Sequence, residues 1–73
     1  MFRKARRIRM ERGITLIEAC EQAQIGFDAL SAFENGGRML SGDRLLRLGD
    51  LLDTDPRVLA AEDTEAQPAI PKV

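Results

Sequence analysis

The chain has 73 residues, 44% of them hydrophobic, with 11 basic against 12 acidic side chains and a formal net charge of −1. That length allows one small domain with a modest core, which short loops, efficient helix packing or self-association must support. One cysteine, Cys20, excludes an intramolecular disulfide, and the absence of histidine removes the usual zinc sets and histidine-based catalysis, so no enzyme activity, metal or cofactor is expected.

A net charge near zero argues against a general polyanion binder, yet the charges are segregated along the chain. Residues 1–12 carry Arg3, Lys4, Arg6, Arg7, Arg9 and Arg12 against Glu11, whereas residues 50–65 carry Asp50, Asp53, Asp55, Glu62, Asp63 and Glu65 against Arg57. A basic end suits phosphates, and an acidic end turned away would not oppose that contact. Two solvated faces of opposite sign would give the same pattern. No run of roughly 18 apolar residues and no secretory core is present, so no membrane partner and a cytoplasmic location are expected.

Residues 3–12 contain no Gly or Pro, and Ala5, Ile8 and the stem of Arg9 recur on one side at three- and four-residue spacing. This predicts a short amphipathic helix ended by Gly13. Thr15 with Glu18 three residues later is a capping box, so a second helix is predicted over 16–23, with Leu16, Ala19, Cys20 and Ala23 facing inward. The small Ala19 and Cys20 let another helix cross closely, and Cys20 reads as a buried apolar residue rather than a redox group. Gln24, Ile25 and Gly26 form a break too short for a flexible loop, with Ile25 plugging the junction.

A third helix follows over 27–34, burying Leu30 and Phe33, and Asn35, Gly36 and Gly37 stop it because they readily turn left-handed. Ser41 caps a fourth helix over 42–52, whose Leu45, Leu46, Leu48, Leu51 and Leu52 form the largest apolar stripe. Asp55 caps a fifth, with Pro56 at its first position and Val58 and Leu59 inward. From Thr64 two prolines and little to bury predict a disordered tail, giving one helical domain over 1–63 and a tail over 64–73.

Two helices joined by a three-residue turn, within an all-helical domain of this size, are the helix-turn-helix arrangement. The stretch RMERGITLIEACEQAQIGFDALSAFENGGR, residues 9–38, resembles without a gap the helix-turn-helix of the Cro/C1-type (XRE) family of phage and bacterial regulators. It matches the family's Arg–x–x–x–Gly–apolar–Thr opening, its Glu and small residue in the second helix, its apolar turn residue and its closing Glu–Asn–Gly–x–Arg. The likeness continues through LLRLGDLLDTDPRVL, over roughly residues 3–60. The resemblance implies an all-α, compact five-helix lambda-repressor-like domain. It also implies a homodimeric repressor or autoregulator that binds an inverted-repeat operator in double-stranded DNA, without a small-molecule ligand.

Residue roles follow from the same resemblance. Arg9 and Glu34 correspond to a buried ion pair tying the first helix to the end of the third, and a charge on an apolar face does need a partner. Backbone phosphates would be held by Asn35, the N–H groups of Gly36 and Gly37, and Arg38, then by the start of the fourth helix at Ser41, Gly42 and Asp43. Asp43 opposes a phosphate there, and Arg44 compensates. Arg3, Lys4, Arg6 and Arg7 are further backbone candidates, or a solvated face. Leu16 stands where the family often has a phosphate-gripping Gln.

Phe27, Asp28, Ala29, Ser31 and Ala32 occupy the base-facing positions of the third helix. They offer no bidentate donor. Phe27 or Ala32 can meet a thymine methyl, Asp28 can accept from a cytosine amino group, Ser31 suits either, and DNA shape supplies the rest. Phe27 equally suits the core or a protein partner. Leu52, Val58 and Leu59 are the expected dimer contact, which would place two recognition helices about 34 Å apart. The rival reading is a protein-interaction module of antitoxin or antiactivator type on the same scaffold, or a DNA-binding antitoxin that combines both.

Overall fold

The computed structural model describes residues 1–63 and contains five helices: α1 (Lys4–Glu11), α2 (Leu16–Ala23), α3 (Phe27–Glu34), α4 (Gly42–Leu52) and α5 (Pro56–Ala60). The tail expected over 64–73 lies outside the described residues. Local signals start three of the helices. Thr15 Oγ1 accepts from the Glu18 N–H at 3.1 Å while the Glu18 carboxylate accepts from the Thr15 N–H at 2.9 Å, completing the capping box of α2. Ser41 Oγ accepts from the Arg44 N–H to cap α4, and Asp55 Oδ1 accepts from the Arg57 N–H at 2.8 Å to cap α5, with Pro56 at the first position. The Arg57 guanidinium and N–H together hold the Asp55 carboxyl below its ordinary range.

α1 to α4 end by one device. A left-handed residue turns the chain, at Gly13 (φ 72°), Gln24 (φ 57°), Gly36 (φ 86°) and Asp53 (φ 52°). The next N–H then reaches back five residues, from Ile14 to Arg9 O, Ile25 to Cys20 O, Gly37 to Ala32 O and Thr54 to Gly49 O. This closure satisfies carbonyls that the helix itself leaves without donors. At Gln24 the Cβ makes the left-handed conformation unfavourable by about 1–2 kcal/mol, against which glycine would lose about 0.5–1 kcal/mol of chain entropy. Gln24→Gly is therefore expected to stabilise the domain by about 0.5–1 kcal/mol, read from the urea midpoint.

α1 packs on α5 and α3, α2 on α3 and α4, and α4 on α5. Their shared core is Ala5, Ala19, Ala23, Ile25, Leu30, Phe33, Leu40, Leu48, Leu52 and Leu59. Ala19 and Ala23 on α2 give its neighbours the close approach their small side chains permit. The leucine stripe of α4 is narrower than its periodicity predicts, because Leu46 is 58% exposed. Leu40, in the link before α4 and outside any helical pattern, is buried instead.

Two residues expected at a dimer contact are corrected here. Leu52 and Leu59 are fully buried in the chain's own core, since so small a domain uses its largest leucines, with Leu30, Leu48 and Phe33, to exclude water from within. Val58, expected to face inward, is 41% exposed and is the one of the three that a second copy could touch.

The two ends of the described chain meet at the C-terminus of α3. Arg3 and Glu62 form an antiparallel bridge, the Asp63 N–H donates to Phe2 O at 2.8 Å, and the Lys4 N–H donates to Ala61 O at 2.9 Å. The Arg3 N–H donates to Glu34 O at 2.9 Å. The basic start and the acidic end, far apart in sequence, are thus neighbours in space, and Arg7 Nε pairs with Asp63 Oδ2 at 2.9 Å.

Candidate nucleic-acid interface

The helix-turn-helix is α2, the turn 24–26 and α3. Ile25 is buried between the two helices, and its N–H on Cys20 O closes the turn at 3.0 Å. Gly26 begins α3 without a side-chain cap, so the first-turn N–H groups of α3 have no acceptor from that position. Leu30, Phe33 and Glu34 take the inner face. Phe27 and Asp28 are exposed at the start of α3, while Ser31 and Ala32 are half-buried farther along. Ala29 departs from its expected base-facing role: it packs against the core, being one position before Leu30 on a helix whose inner face is wide.

Glu34 is locked from inside. Arg9 Nε donates to Glu34 Oε2 at 2.7 Å and Arg9 NH2 to Oε1 at 3.0 Å, a bidentate pair in which both residues are buried. Arg9 NH1 also donates to Ile14 O at 2.8 Å, so one guanidinium joins α1, the link into α2 and the end of α3.

Two members of the basic N-terminal run, Arg3 and Arg7, are engaged within the domain rather than held free for phosphate. Arg3, expected at the DNA backbone, donates from Nε to Phe33 O at 2.8 Å and from NH1 to Ala60 O at 2.7 Å, with its guanidinium over the Phe33 ring. Arg7, likewise expected there, is engaged by Asp63 and by Glu11. Arg12 donates to Leu52 O at 2.6 Å. The physical reason is common to Arg3 and Arg12: α3, α4 and α5 end beside α1, and their last carbonyls, at the negative end of each helix dipole, attract guanidinium donors. Lys4 and Arg6 are half-buried, Arg6 over the Phe2 ring.

After α3, Asn35 and Arg38 are exposed. The amides of Gly36 and Gly37, expected to hold phosphate, instead donate to Phe33 O at 3.0 Å and Ala32 O at 2.9 Å. The same left-handed turn that stops the helix directs them inward, which leaves Asn35 and Arg38 as the exposed polar side chains of this loop. Ser41 Oγ is exposed and uses an acceptor lone pair on the Arg44 N–H. Gly42 and Asp43 head α4 with amides that have no intrahelical acceptor. Among the described residues, neither the Arg38 nor the Arg44 side chain has a hydrogen bond or ion pair.

One positioning residue was not apparent from sequence. Arg47, on α4, donates from Nε to Ala23 O at 2.7 Å and from NH2 to Gln24 O at 3.2 Å. Its signal was available in principle: α2 ends without a basic residue of its own, so its carbonyls need a donor from elsewhere.

Cys20 is half-buried, and burial, reinforced by the nearby Glu34 carboxylate and partly opposed by Arg9, pushes its thiol up. That direction disfavours the nucleophilic thiolate. Among the described residues no group of three or more His, Cys, Asp or Glu could hold a metal ion, and no helix is long and apolar enough to cross a membrane.

Comparison with known proteins agrees with this geometry. A helix-turn-helix family model matches residues 6–59, spanning all of the recognition unit and most of the core. No curated protein and no solved structure matches the chain. The chain belongs to the Cro/C1-type (XRE) helix-turn-helix family, whose members are DNA-binding transcription regulators.

Proposed function

We propose that this protein is a sequence-specific repressor or autoregulator that binds an inverted-repeat operator in double-stranded DNA as a homodimer. The observation that carries the reading is the membership of this family together with an α3 whose start is exposed and uncapped, accompanied by two unpaired arginines, Arg38 and Arg44. In this reading α3 enters the major groove. Phe27 and Ala32 meet thymine methyls, Asp28 accepts from a cytosine amino group, Ser31 takes either, and Asn35, Arg38, Ser41 and Arg44 hold phosphates. A second copy docks around Val58.

Two free arginines per subunit make four per dimer, so log K for DNA from upstream of its own gene should fall against log salt with a slope of about −4. Arg38→Ala should weaken binding to all sequences alike and reduce the slope by about 2 per dimer, while Phe27→Ala should relax preference at one base position. Fluorescence anisotropy titrations at several salt concentrations measure all three. Binding that is insensitive to both salt and Arg38→Ala would remove the proposed interface.

One observation favours a second reading. Ile17 is 60% and Phe27 52% exposed, and Glu18, Glu21 and Asp28 are exposed on the same two helices. An apolar and acidic surface suits a basic protein partner better than phosphate. Absence of DNA binding at low salt, with a stoichiometric protein partner at this face, would establish that reading instead.

A further inference from the structure

We infer that Arg47 is the positioning residue that sets the recognition helix relative to the start of α4; the inference rests on the DNA-binding reading above. Arg47 lies on α4, five residues after Gly42 and so about 7.5 Å along the helix from its start. Its guanidinium grips Ala23 O, from the last residue of α2, and Gln24 O, from the residue that turns the chain toward α3. Phe27, the first residue of α3, follows three positions later. One side chain thus couples the two segments that carry the proposed contacts, the α3 start with Phe27 and Asp28, and the α4 start with Ser41 and Arg44.

The turn needs such a hold. Gln24 is left-handed with φ 57° and ψ 52°, a conformation its side chain disfavours, and α2 has no basic residue in its last turn to meet the exposed carbonyls. Packing of Ala19, Ala23 and Leu48 keeps α2 and α4 in the same core without Arg47. Removing the guanidinium therefore frees the turn rather than the fold. Contacts on DNA require placement to about 0.5 Å, so a looser turn weakens binding without removing a contact.

Arg47→Met keeps most of the stem and deletes the fork. The variant should remain helical by circular dichroism, and its Ile25 amide, which closes the turn on Cys20 O at 3.0 Å, should exchange hydrogen about tenfold faster while Leu52 is unchanged. DNA affinity should fall about tenfold with the salt slope unaltered, and Arg47→Lys, which can reach one carbonyl but not both, should recover part of it. A slope reduced by about 1 per arginine would show that Arg47 binds phosphate directly and would overturn the assignment. Unchanged Ile25 exchange would overturn it too, as would unchanged affinity in the folded variant. If the parent protein binds no DNA, the regulator reading fails separately, and the exchange experiment still decides whether Arg47 fixes the turn.

Discussion

Replacing Glu34 with alanine is expected to lower folding stability by about 3–5 kcal/mol, because the Arg9 guanidinium would stay buried with its carboxylate gone. Stabilities of domains this size are on the order of 3–9 kcal/mol, so the loss amounts to about a third of the total or more. The bidentate geometry, 2.7 and 3.0 Å, leaves Arg9 no second carboxylate, and Ile14 O satisfies only NH1. The loss is not the worth of the pair. Arg9→Met with Glu34→Leu removes both charges and fills the space with apolar volume, and that double variant should recover most of the stability lost in Glu34→Ala. Urea denaturation of the parent, Arg9→Met, Glu34→Leu and the double variant gives the coupling directly. A double variant as unstable as Glu34→Ala would show that the pair contributes net stability beyond desolvation.

The parts legible in the sequence are those governed by neighbours within a few positions. Thr15 with Glu18, Gly13, the Asn35–Gly37 stop, Ser41, and Asp55 with Pro56 each act across four residues or fewer, and they place the helix limits. The destinations of the arginines were not legible, because they depend on which helix end arrives beside them. Arg3 meets a carbonyl 57 positions away and Arg47 one 24 positions away. Leu40 was missed for a related reason: it is buried in a link, where no periodicity marks it.

This has a functional consequence for the site. Charge segregation along the chain suggested a basic arm for phosphate, but Arg3, Arg7 and Arg12 bind carbonyls and carboxylates of this domain. Among the described residues, the arginines whose side chains have no hydrogen bond or ion pair after α3 are Arg38 and Arg44, set against Asp28 and Asp43. In the proposed DNA-binding reading, so few cations gain little from non-specific electrostatics, and discrimination would rest on fit at Phe27 and Asp28 and on deformable DNA.

Gly36→Ala should cost about 2–5 kcal/mol, although a single methyl is added at an exposed loop. Gly36 lies at φ 86°, where a Cβ is disfavoured by about 1–2 kcal/mol. A Cβ there would also collide with Met1 O, a backbone atom that cannot rotate away. Relief requires moving the N-terminal segment, which is tied down by the Arg3 N–H on Glu34 O and the Asp63 N–H on Phe2 O, and such overpacking typically adds about 1–3 kcal/mol. Gly13 supplies the control within the same chain. Its φ is 72°, yet a Cβ there meets nothing within 4 Å, so Gly13→Ala should show the conformational cost alone. The difference between the two variants in thermal or urea unfolding isolates the contact with Met1. Equal losses would mean that the N-terminal segment yields freely, and then the pairing of Arg3 with Glu62 contributes nothing to holding the end of the recognition helix.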